Sequence, residues 1–111
     1  MADCNSGYNC DRCGEYVETV RDSELYLRYV IGAVPYSELR REPERHIRCG
    51  TEFAQFIVDP EFEPVTCEDP ALDKSNLPTD VRERQEQLFT KAWRRLQEVV
   101  DSGLTVEEYP L

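Results

Sequence analysis

At 111 residues and 13.0 kDa the chain has the size of one domain with one modest core. A composition of 40% hydrophobic and 32% charged residues, with six Tyr, four Phe and one Trp, excludes wholesale disorder. The formal net charge of -10, concentrated between Glu52 and Asp80, disfavours a nucleic-acid partner, because affinity for the phosphate backbone depends on neutralising it.

The opening Met1-Ala2-Asp3-Cys4-Asn5-Ser6 has no basic region followed by an apolar one, as a secretory leader would. No apolar run approaches the roughly 20 residues that a membrane-spanning helix needs. A cytoplasmic protein without membrane contact is therefore expected. In a reducing compartment its five cysteines read as metal ligands or free thiols before disulfides.

Residues 3–14 are rich in turn formers and hold Cys4, Cys10 and Cys13. Glu15 to Val20 has β-formers in partial alternation, which predicts a short strand. Arg21-Asp22-Ser23 would turn the chain. The run Glu24 to Ile31 is apolar on every side, and its Tyr, Val and Ile content favours a second strand that completes a hairpin with the first. A buried helix capped by Ser23 is the alternative, since an all-apolar run has no period to separate the two.

Gly32 and Pro35 end that run. Tyr36 to Arg41 suits a short helix stopped ahead of Pro43, because the residue before a proline disfavours helical geometry. Thr51 is a candidate cap for about two helical turns over Glu52 to Val58, with Phe53, Phe56 and Ile57 on one side. Residues 59–78, acidic and carrying four prolines, read as a loop that wraps the surface or as a partly ordered linker. From Thr79 or Pro78 to a C-terminal cap at Gly103, residues 79–103 form the clearest helix. There Val81, Leu88, Ala92, Trp93, Leu96, Val99 and Val100 recur at spacings of three and four, as one apolar stripe with Trp93 as a core anchor.

The strongest motif is Cys10-Asp-Arg-Cys13-Gly14. Two thiolates three positions apart in a tight turn can hold one metal ion, with turn amides aimed at the sulfurs and Gly14 free to take positive φ. After 32 further residues comes His46-Ile-Arg-Cys49 at the same spacing. Together they make a three-thiolate, one-imidazole set with no open position, which suits structural Zn2+. His46 is the only histidine, and a surface role for it stays open. Cys4 would then supply the missing ligand. Otherwise Cys4 and Cys67 are spare thiols.

In this arrangement the chain resembles the treble-clef, zinc-ribbon-like group of zinc fingers. There a Cys-x-x-Cys-Gly knuckle leads into a β-hairpin, and the second ligand pair lies at the start of a helix. The resemblance covers the N-terminal half and implies a fold and a zinc ion but no activity. The sequence departs from it by a histidine in the second pair and by an insertion over Gly32 to Arg45.

Catalytic motifs are missing. His46 is followed by Ile47 and Arg48 rather than by a His-x-Glu pattern, and one histidine leaves almost no material for a hydrolytic triad. The expected architecture is α+β and a single domain over 1–111, in four parts. A zinc-bound hairpin and short-helix unit spans 1–58, an acidic proline-containing loop 59–78, an amphipathic helix packed back on the unit 79–103, and a tail 104–111. The expected function is a non-enzymatic, zinc-stabilised protein-interaction or regulatory module. Two alternatives stand beside it: nucleic-acid binding through Arg40–Arg48, and a redox dithiol switch at Cys10 and Cys13.

Overall fold

The computed structural model describes residues 8–111. Two residues on each side of the Cys10–Gly14 turn pair as a minimal antiparallel hairpin, β1 (Tyr8–Asn9) and β2 (Tyr16–Val17), in the register Tyr8 to Val17 and Asn9 to Tyr16. Cys10 N–H donates to the Glu15 carbonyl at 2.7 Å and Gly14 N–H to the Cys10 carbonyl at 3.0 Å. Gly14 takes a φ of 79°, which only a residue without Cβ adopts at no cost.

The second strand expected over 24–31 is instead a helix, α1 (Glu24–Val30), so the strand at Tyr16 pairs backwards across the knuckle rather than forwards. Local capping decides the matter. Ser23 sits in extended geometry and its hydroxyl accepts the Tyr26 N–H at 3.1 Å. At the far end Gly32, at φ 84°, closes the helix, with Gly32 N–H on the Tyr29 carbonyl and Ala33 N–H on the Arg28 carbonyl. The run is apolar on every side because α1 is central, with Leu25, Tyr26, Leu27, Tyr29 and Val30 all buried.

Tyr36–Glu38 makes a single 3-10 turn in place of the short helix expected there. A further 3-10 turn, Ile47–Cys49, runs into α2 (Thr51–Ala54), a one-turn helix rather than two. Gly50, not Thr51, occupies the capping position, and the Thr51 hydroxyl accepts the Glu68 N–H instead. Phe53 and Phe56 stack on Phe89, with ring centroids 5.5 and 5.6 Å away.

Residues 59–78 wrap the surface and are tied down. Buried Gln55 donates to the Leu72 carbonyl and accepts the Lys74 N–H, while Asp69 and Asp73 cap 3-10 turns at Pro70–Leu72 and Lys74–Asn76. The long helix α3 (Thr79–Val99) packs across α1. Its buried face is Phe89, Ala92, Leu96 and Val99, with Trp93 half-buried edge-on against Phe62. Leu88 and Val100, expected in the stripe, lie at its margin at 36% and 39% exposed, and Phe89 takes the central place. After Gly103, at φ 77°, residues 104–111 fold back. Arg95 donates to the Tyr109 and Glu108 carbonyls, Tyr29 Oη to the Val106 carbonyl, and Leu111 N–H to the Val30 carbonyl. The architecture is mixed, about half helical with one two-residue strand pair among the described residues. No helix among the described residues is long and apolar enough to cross a membrane.

Candidate metal centre

The knuckle and the His46–Cys49 turn are brought together by backbone pairing. Asp11 N–H donates to the Glu44 carbonyl at 2.9 Å and Glu24 N–H to the Arg45 carbonyl at 2.8 Å, and Ser23 and His46 form an isolated β-bridge. This stitching places Cys10, Cys13, His46 and Cys49 in one cluster, their donor atoms all within 4.8 Å of one another. A tetrahedral zinc ion, with sulfur at about 2.3 Å and nitrogen at about 2.0 Å, separates its donors by roughly 3.5–3.8 Å. The donor types and their spread fit such an ion with small adjustments. Cys10 is buried, Cys49 half-buried and Cys13 exposed, so the cluster lies at the surface.

His46 is oriented for ligation. Its Nε2 lies 3.1 Å from the Tyr16 carbonyl, which can only accept, so Nε2 carries the proton. In the neutral ring the unprotonated Nδ1 then faces the sulfurs, 3.3 Å from Cys13 Sγ and 3.9 Å from Cys49 Sγ. A carbonyl that fixes the outer nitrogen is the usual support behind a metal-bound histidine.

The sulfurs are not equivalent. Burial pushes the Cys10 thiol up, but the backbone N–H groups of Cys13, His46 and Arg12 outweigh it and bring it down to about 6. Two of those donors, Arg12 and His46, lie 3.4 Å from the sulfur. Cys49 is pushed up to about 12, first by burial and then by the sulfurs of Cys10 and Cys13 beside it. Burial lowers His46, while the Cys10 thiol, the Tyr16 carbonyl and the Asp22 carboxylate more than reverse that. Crowded thiols resist ionising together, and a dipositive ion at their centre removes the conflict.

All four residues singled out by spacing thus converge. Cys67 does not join them: it is buried, with its sulfur on the Asp69 carbonyl at 3.4 Å. Cys4, the reserve ligand, lies outside the described residues. Spacing gave no hint of the Tyr16 carbonyl, because a backbone acceptor has no sequence signature. The Arg40–Arg48 segment is largely committed internally. Arg45 bonds to Asp11, Glu24 and Glu52, Arg41 pairs with Glu38, and Arg48 lies 4.5 Å over the Phe62 ring and donates to the Glu63 carbonyl.

The cluster defines a candidate metal centre of the three-thiolate, one-imidazole type. No protein-family model, curated protein or solved structure matches the chain.

Proposed function

We propose that this protein is a non-catalytic module cross-linked by structural zinc, bound through Cys10, Cys13, His46 Nδ1 and Cys49, and that it acts by presenting its surface to a protein partner. The observation that carries the zinc reading is His46, whose Nε2 is occupied by the Tyr16 carbonyl while Nδ1 points at the cysteine sulfurs. Four protein donors fill a tetrahedral shell and leave no position for a substrate or an activated water, which favours a structural role over a hydrolytic one. Bound there, the ion would supply a cross-link between the knuckle and the turn before α2.

The treble-clef resemblance keeps support at its two anchor points, a knuckle within a hairpin and a second ligand pair in the turn leading into a helix. It loses support between them, where α1 stands in place of a hairpin arm. The nucleic-acid alternative is weakened by the internal commitments of Arg45 and Arg48.

Elemental analysis of purified protein should find one zinc per chain. His46→Ala should weaken zinc binding in competition with a chromophoric chelator, while His46→Cys, an equally good tetrahedral donor, should retain it. Cys4→Ser should change little. Parental affinity in His46→Ala together with metal loss in Cys4→Ser or Cys67→Ser would mean that the ligand set is wrong. A mixed-sequence oligonucleotide should not bind, and salt-dependent binding to one would favour the nucleic-acid alternative instead.

A further inference from the structure

Beside the donor cluster lies a second group of side chains with no part in ligation. Arg45 immediately precedes His46. Its Nε and one terminal nitrogen grip both oxygens of Asp11, at 2.7 and 2.8 Å, and Asp11 lies between Cys10 and Cys13 in the knuckle. The other terminal nitrogen meets Glu24 Oε2 at 3.3 Å and Glu52 Oε1 at 3.2 Å. Glu24 opens α1, and Glu52 follows Cys49 by three residues in α2. One guanidinium therefore joins the knuckle, the start of α1 and α2.

The group is built rather than incidental. The Glu24 side chain is 2% exposed and that of Arg45 19%, so the pair is drawn out of water. A second guanidinium, Arg28, lies 2.7 Å from the other Glu24 oxygen. Gly50 leaves the space that the Glu24 carboxylate fills, since a Cβ there would run into it. Burial pushes Glu24 toward its neutral form, with Arg28 and Arg45 opposing this. A half-buried charge network of this kind is weak as a general stabiliser, because desolvation offsets most of the attraction. What it supplies is fixed geometry. The flat fork of arginine sets the angle between its partners, which the single nitrogen of lysine cannot do.

We propose that Arg45 is the positioning residue of the metal centre, holding the knuckle, the start of α1 and the turn before α2 in register so that the four donors converge before an ion arrives. This rests on the metal-centre reading above. It adds that the site is preformed rather than assembled by the ion.

The test compares the full chain with Arg45→Lys, which keeps the charge but not the fork, and Asp11→Asn, which weakens only the link to the knuckle. Zinc affinity is read by competition with a chromophoric chelator, and geometry by the absorption of the cobalt(II)-loaded protein. Both variants should bind zinc more weakly, Arg45→Lys by about 10–100-fold, in the range seen when an outer-shell partner of a metal ligand is lost. The tetrahedral cobalt spectrum should persist, because all four donors remain. In metal-free protein, the nitrogen NMR signals of His46 should report one tautomer in the parent and an average of two in Arg45→Lys. A purely structural ion pair would not move that signal. Should Arg45→Lys fail to fold, Asp11→Asn decides alone. Variants that bind as tightly as the parent would overturn the positioning role and leave the metal centre standing. A parent that takes up no metal would remove both.

Discussion

The molecule has two halves held by different forces. Around the knuckle, order comes from polar groups in fixed directions. They include the Tyr16 carbonyl on His46, the Arg45 fork on Asp11, and the Ser23 hydroxyl on the Tyr26 N–H. Along α3, order comes from apolar surface, with Phe53 and Phe56 stacked on Phe89, and Ala92 and Leu96 fully buried in the core shared with α1. Apolar packing tolerates small shifts because it has little direction, whereas hydrogen bonds weaken steeply when misaligned. The half that needs exact donor placement is thus the one built from directional bonds.

If the halves differ in this way, perturbations should sort by location. The largest effect belongs to the apolar half. Phe89→Ala should cost about 3–5 kcal/mol, read by denaturant unfolding, and the cost should be the same with and without a zinc chelator. A chelator-dependent cost would mean that the halves are one unit. Next comes Gly50→Ala, whose new methyl must displace the Glu24 carboxylate from between Arg28 and Arg45. Overpacking of this kind costs about 1–3 kcal/mol, and zinc affinity should fall with it. Unchanged zinc affinity would show that the polar network and the cluster are not linked.

A smaller effect is expected from pH. The Asp59 carboxyl is held below its usual range by the Glu61 N–H and then by the Arg94 guanidinium. Its contribution is therefore complete above the ordinary carboxyl value, about 3.9, and is lost as pH falls through the lower folded value. The stability gap between parent and Asp59→Asn should close on acidification below about pH 4. A gap that persists to the acid limit would assign the effect to packing. Smallest of all, Leu88→Ala should stay within about 0.5 kcal/mol, because Leu88 is 36% exposed at the rim of the stripe. A large cost there would return Leu88 to the core and displace Phe89 from its centre.

Legibility followed the range of the interactions. The long helix is legible because its apolar period repeats over many turns, although a stripe on a cylinder leaves its centre open by one residue, and here the centre is Phe89 rather than Leu88. The spacing of the Cys10/Cys13 and His46/Cys49 pairs is legible because each pair is local. The segment 24–30 is ambiguous in sequence because a central helix and a buried strand are both apolar on all sides, and propensity alone favours the strand. The decisive signs were at its ends, where Ser23 caps it and Gly32 closes it. The partners of Arg45 come from residues 7 to 34 positions away, and charge alternation along the chain says nothing about which carboxylate will be near.

Ser23 serves two structures at once. Its hydroxyl accepts the Tyr26 N–H that starts α1 and donates to the Glu44 carboxylate, 21 residues onward, while its backbone bridges to His46. The start of the helix and the closure of the loop back to the His46–Cys49 turn therefore share one residue. Slowly exchanging amides at Tyr26 and at the Asp11–Glu44 link should open together, as one cooperative unit, rather than fraying from either end.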